Sequence, residues 1–75
     1  MLKDMDNIEI AEAIDRYVRG ERDRAILKRR LIDKISQERL AEEFDLSVSQ
    51  IKRILMSAQE QLYTRLERKQ RNAFK

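Results

Sequence analysis

Residues 37–55, QERLAEEFDLSVSQIKRIL, decide how this chain folds. Two amphipathic helical patterns meet there across Phe44-Asp45-Leu46, and each opens with a start signal. Ser36 precedes the first, where its hydroxyl can accept from a first-turn N–H that has no partner inside the helix. Ser47 precedes the second, and with Gln50 three positions on it forms an S-x-x-Q capping box. Ile35 with Leu40, and Leu46 with Ile51, have the spacing of hydrophobic staples, which fix the angle at which the chain enters each helix. So short a connection predicts a sharp crossing of two helices, not a long antiparallel pair. The spacing puts Leu40, Ala41 and Phe44 on the inner face of the first helix, Leu46 in the turn, and Ile51, Ile54 and Leu55 on the inner face of the second. Ala41 is small where the helices cross, and a larger side chain there would push them apart. Asp45 falls at a turn position that favours positive φ, a conformation Asp tolerates better than most residues.

Working outward, an N-terminal helix is expected over 6–19. It starts at a capping box made by Asp6 and Glu9, carries Ile10, Ile14 and Tyr17/Val18 at helical spacing, and stops at Gly20. A second helix follows in ERDRAILKRRLIDK, with Ile26, Leu27 and Leu31 inward and Arg22, Arg24, Lys28 and Arg29 outward. Downstream, the apolar stripe continues through Ala58, Leu62 and Leu66, and the basic tail over 67–75 loses periodicity, so it is expected to fray or to act as a basic arm. The chain has no proline and one glycine, which leaves a sheet with almost no turn residues. The expectation is an all-α fold: one domain over 1–75, a small bundle of four to five helices containing a helix-turn-helix, with 21–66 as its main unit.

Composition narrows the chemistry. Charged residues are 41% of the chain, against roughly a quarter in ordinary globular proteins, so long helix faces must be solvated. The charge is asymmetric: residues 1–20 carry three basic and five acidic side chains, 21–46 carry seven of each, and 47–75 carry seven basic and two acidic. The positive end suits a polyanion. Without cysteine or histidine there is no disulfide or thiolate metal site, and the commonest general base is missing. No enzyme, catalytic residue, cofactor or metal is expected. Nothing reads as a signal peptide or a membrane span, so a cytoplasmic location is expected.

The stretch from Glu21 to Leu66, ERDRAILKRRLIDKISQERLAEEFDLSVSQIKRILMSAQEQLYTRL, resembles region four of bacterial RNA polymerase sigma factors, the domain that reads the −35 promoter element. The likeness rests on the Ile26-Leu27 pair, Ser36 before the first helix of the pair, Leu40-Ala41, Phe44-Asp45-Leu46-Ser47, and Ile51-Lys52-Arg53. It implies a sequence-specific DNA-binding transcriptional regulator whose recognition helix begins at Ser47. Primary members of that family carry Arg and Glu at the first outward positions of this helix, where this chain has Val48 and Ser49, and their promoter-melting segment has no counterpart here. The expectation is a stand-alone, sigma-like regulator of phage or mobile-element type. Its partners would be double-stranded DNA, with RNA polymerase and a second copy of the chain as further candidates, and no membrane.

A recognition helix enters the major groove by its N-terminal end while the preceding helix crosses the backbone. Subtracting core positions leaves Val48, Ser49, Gln50, Lys52, Arg53 and Ser57 on the outer side. Arg53 is the candidate for bidentate contact to guanine, or else a solvated surface cation. Gln50 is either a partner for adenine or the reciprocal half of the capping box, and Val48 either touches a thymine methyl or packs inward. Lys52, with Gln37, Arg30, Lys34 and Arg39 around the start of the preceding helix, are phosphate candidates. Glu38, Glu42 and Glu43 count against laying that helix flat on DNA. The alternative function is a helical interaction module that docks on RNA polymerase or another regulator without reading DNA.

Overall fold

The computed structural model describes residues 4–73, with side chains through Arg68. Four helices form: α1 (Asn7–Tyr17), α2 (Glu21–Leu31), α3 (Gln37–Glu43) and α4 (Val48–Ala73), with no strand among the described residues. The small all-helical bundle expected from the sequence is the one observed.

Helix α1 starts where local chemistry puts it. The Asp6 carboxylate accepts from the Glu9 N–H at 2.8 Å, and Glu9 Oε1 accepts from the Asp6 N–H at 3.3 Å, so two otherwise unpaired donors are satisfied together. Ile10, Ala13 and Ile14 form its buried stripe.

The expected stop at Gly20 is corrected. The helix ends at Tyr17, and Val18 leaves it in an extended conformation (φ −100°, ψ 130°) with its side chain 2% exposed. A β-branched residue suits that backbone and can bury there. The carbonyl freed at Val18 accepts from Arg24 Nη1 at 3.1 Å, and the Arg19 N–H donates to Gln61 Oε1 on α4 at 3.0 Å. Gly20 instead caps the start of α2 with φ +91°, a region closed to residues with a Cβ, and its carbonyl accepts from the Arg24 N–H at 3.0 Å.

Helix α2 buries Ile26 and Leu27, and Leu31 packs against the core while half-buried. It ends at Leu31, three residues before the expected Lys34, and Lys34 itself takes a left-handed conformation (φ 60°) that no α-helix accommodates. The return is held by the Ile35 N–H donating to the Arg29 carbonyl at 3.2 Å and by Arg30 Nη1 donating to the Ile35 carbonyl at 3.1 Å.

Helix α3 spans only seven residues, below the length at which a helix persists alone. Both its ends are fixed. Ser36 Oγ accepts from the Arg39 N–H at 3.3 Å at the start. At the finish, Asp45 is left-handed (φ 55°), the Leu46 N–H donates to the Ala41 carbonyl at 2.9 Å, and the Asp45 N–H donates to the Glu42 carbonyl at 3.4 Å. These two bonds around a left-handed residue are the Schellman arrangement, here with Asp in place of the usual glycine.

The start of α4 carries the second capping box: the Ser47 N–H donates to Gln50 Oε1 at 2.9 Å and the Gln50 N–H to Ser47 Oγ at 3.1 Å. Ile51, Leu55, Ala58, Leu62 and Leu66 are buried along one face. At 1.5 Å per residue a helix of this length runs about 39 Å, close to the longest dimension of the molecule, 44 Å. It is the spine against which α1, α2 and α3 all pack. Beyond Leu66 the helical backbone continues to Ala73, so the expected loss of structure from 67 is not seen; the segment ERKQR contains helix-favouring residues and no breaker. Phe74 and Lys75, the end of that expected tail, lie outside the described residues.

Among the described residues the core holds no buried polar or charged side chain. Ion pairs tie the helices from outside: Lys28 meets Asp15 of α1 at 2.6 Å, and Arg29 holds Glu43 of α3 with two bonds of 2.9 and 2.8 Å while also reaching Asp33 at 3.0 Å. Hydrogen bonds from Arg29 hold the Glu43 carboxyl below the usual glutamate range. Those same bonds, with the ones to Asp33, raise the Arg29 guanidinium further above its already high range.

Candidate functional site

The buried stripe of α4 fixes which residues its other side shows. With Ile51 and Leu55 inward, Ser49, Gln50, Lys52, Arg53, Met56 and Ser57 are exposed. Neither Lys52 nor Arg53 has a carboxylate within 4 Å among the described residues, and the first acidic residue of α4 is Glu60. The first three turns therefore present unneutralised positive charge. Val48 differs from its neighbours: it is partly buried and packs against the core, so the inward reading of that residue is the one observed. The side-chain oxygen of Gln50 is engaged by the capping box described above, while the residue as a whole remains exposed.

Residues far apart in sequence meet beside this ridge. Arg30 of α2, Gln37 at the start of α3 and Lys52 of α4 line one cleft of about 600 Å³ together with Leu55, Met56, Tyr63 and the acidic Glu60. Arg30 spends one guanidinium N–H on the Ile35 carbonyl and keeps its charge without a carboxylate within 4 Å among the described residues. Lys34 and Arg39 are exposed and do not line this cleft. Both sit at the α2–α3 junction, in the left-handed turn and the first turn of α3.

Ser57 lies further along α4. Its hydroxyl accepts from Gln61 Nε2 at 3.2 Å, and it lines a different opening of about 500 Å³ with Tyr17, Arg19 and Arg65. At about 100° per residue it lies well round the helix from Lys52, but on the same face as Gln50 and Arg53, one to two turns further along. The structure thus gathers Arg30, Gln37 and Lys52 in one cleft and sets Ser49, Gln50, Arg53 and Ser57 on the adjoining exposed face of α4.

Met56 was missed by sequence reasoning. It is 71% exposed at the cleft rim, and its signal was its place one residue after Leu55, off the apolar stripe. Of the three glutamates of α3, Glu43 is neutralised by Arg29, which leaves Glu38 and Glu42 exposed. Among the described residues no group of three or more Asp or Glu is placed to hold a metal, and no helix is long and apolar enough to cross a membrane. No protein-family model, curated protein or solved structure matches the chain.

Proposed function

We propose that this protein is a cytoplasmic DNA-binding transcriptional regulator in which α3, the turn at Asp45 and α4 work as a helix-turn-helix. The observation that carries the reading is the unneutralised Lys52–Arg53 ridge on the first turns of a helix whose start and crossing are fixed by caps and by a tight turn. Arg53, exposed and with no carboxylate within 4 Å among the described residues, fits a bidentate contact to guanine, while Lys52, Arg30, Lys34 and Arg39 suit phosphates on either side. The likeness to sigma region four supports the same reading. Val48 and Ser49 replace the charged residues expected there, and this favours a target other than the usual −35 element.

Binding of mixed duplexes, followed by fluorescence anisotropy, tests the reading. With four cations on phosphates, log affinity should fall against log salt with a slope of roughly −3 to −4. Absence of binding at low salt by a protein shown folded by circular dichroism would remove DNA as the partner and leave the protein-interaction module.

A further inference from the structure

Two arginines outside the Lys52–Arg53 ridge share an opening with Ser57. Arg19, in the turn between α1 and α2, and Arg65 of α4 line the opening of about 500 Å³ that also takes in Ser57 and Tyr17. Both arginines are exposed, and neither has a carboxylate within 4 Å among the described residues. Each is placed by a contact that leaves its charge unneutralised. The Arg19 N–H donates to Gln61 Oε1 at 3.0 Å, which anchors the turn on α4, and the Arg65 guanidinium lies over the Tyr17 ring, 5.4 Å from its centroid. Because an N–H can only meet the acceptor end of an amide, the other end of Gln61, Nε2, is the donor to Ser57 Oγ at 3.2 Å. The Ser57 hydroxyl accepts there and has no acceptor for its own proton among the described residues, so it is left as a donor on an exposed side chain. Glu60 also lines the opening, and two guanidiniums against one carboxylate leave it net positive.

We infer that Arg19, Arg65 and Ser57 form a second phosphate-binding station beside the ridge, which brings the α1–α2 turn into contact with the DNA backbone. The inference rests on the proposed DNA-binding reading and adds where the duplex is held beyond the first turns of α4. Ser57 lies four residues past Arg53 on the same face, about 6 Å along the helix axis. A helix that enters the major groove by its first turns carries its later turns out towards the backbone, where the reading helix of a homeodomain makes contacts of this kind. Phosphate oxygens are acceptors, and the three groups offer N–H and O–H donors together with two positive charges. Such contacts fix orientation and register without reading a base. Arg19 lies outside 21–66, the stretch that resembles sigma region four, so the likeness does not supply this contact.

Salt dependence tests it. The four phosphate cations named above give a slope of log affinity against log salt of roughly −3 to −4, and two more steepen it to roughly −5 to −6. Combining Arg19→Gln with Arg65→Gln should return the slope to the shallower value, weaken every duplex alike and leave the selected sequence unchanged. Arg16→Gln with Arg22→Gln removes the same net charge from exposed positions outside the opening and should leave the slope as it was. Ser57→Ala removes no charge, so it should cost about threefold to tenfold on every duplex, the worth of one hydrogen bond, with no change of slope. All of these side chains are exposed, so the fold should hold, and circular dichroism of each variant checks it. A slope unchanged by the Arg19 and Arg65 pair, or altered as much by the control pair, would overturn the inference. So would a Ser57→Ala chain that binds as tightly as the unaltered one. Binding of no duplex at low salt by the folded, unaltered chain would instead remove the DNA-binding reading, and this inference with it.

Discussion

Replacing Ser47 by alanine tests the feature on which the placement of α4 depends. The change deletes the Oγ that accepts from the Gln50 N–H at 3.1 Å and leaves the opposite bond, from the Ser47 N–H to Gln50 Oε1, in place. Ser47 and Gln50 are both exposed, so the freed N–H finds water and the full penalty of a buried orphan donor does not apply. The loss should therefore sit near the middle of the range for cap removal, about 1 kcal/mol. In a domain of 75 residues, total stability is on the order of 4–11 kcal/mol, so the loss is a visible fraction. It corresponds to a fall in Tm of about 4–8 °C for a chain of this size. Thermal unfolding followed at 222 nm reads it directly. Ser47→Gly is the control: glycine at this position costs only a few tenths of a kcal/mol, because it relieves the backbone while lacking the same oxygen. If Ser47→Ala melts with the unaltered chain, the box does not set the start of α4.

Arg53→Ala should weaken binding to a selected duplex by about 1–3 kcal/mol and relax the preference at a single base pair; an equal loss on every duplex would make it a phosphate contact. Glu43→Gln removes a carboxyl held below its ordinary value of 4.5 by Arg29, so the stability it contributes is full above that pH and disappears as pH falls through its folded value. The gap in Tm between the two proteins should stay constant from pH 7 to pH 5 and close below about 4.5. A gap that persists at pH 2 would mean that the Glu43 charge is not what links α3 to α2.

The features legible in the sequence are those whose partners lie within a turn of one another. Asp6 with Glu9, Ser36 with the Arg39 N–H, Ser47 with Gln50, and the left-handed Asp45 are all local choices made by residue type and spacing. So is the stripe from Ile51 to Leu66, because a helix repeats its own face. What escaped was set by distant residues. Gly20 looked like a stop, yet α1 ends two residues before the expected Arg19, where Val18 turns extended and buries against the rest of the core. Arg29 and Glu43 are fourteen positions apart and meet only once α2 and α3 have packed. The left-handed Lys34 has no sequence signal, since lysine carries no preference for that conformation. Within the candidate site, Gln50, Lys52 and Arg53 were readable as outward, whereas the cleft that joins Arg30 and Gln37 to Lys52 needed three helices in place.

Length divides the labour between the two helices of the pair. α4 buries a stripe of five residues from Ile51 to Leu66, spread over more than four turns, and that long stripe fixes its rotation about its own axis. A slip of one residue would turn Lys52 and Arg53 by about 100°, so the direction in which the ridge faces is a consequence of the core. α3 cannot supply such a lever, with seven residues and only Leu40 and Ala41 buried. It is held instead at three points: the Ser36 cap, the Schellman turn at Asp45 and the Arg29–Glu43 pair. Each of these is a contact with a defined geometry that adds little buried area. The crossing of α3 and α4 is thereby set by directional bonds, and the orientation of α4 by packing. Perturbing the caps should therefore alter where the ridge starts, whereas perturbing Ile51 or Leu62 should alter whether it forms at all.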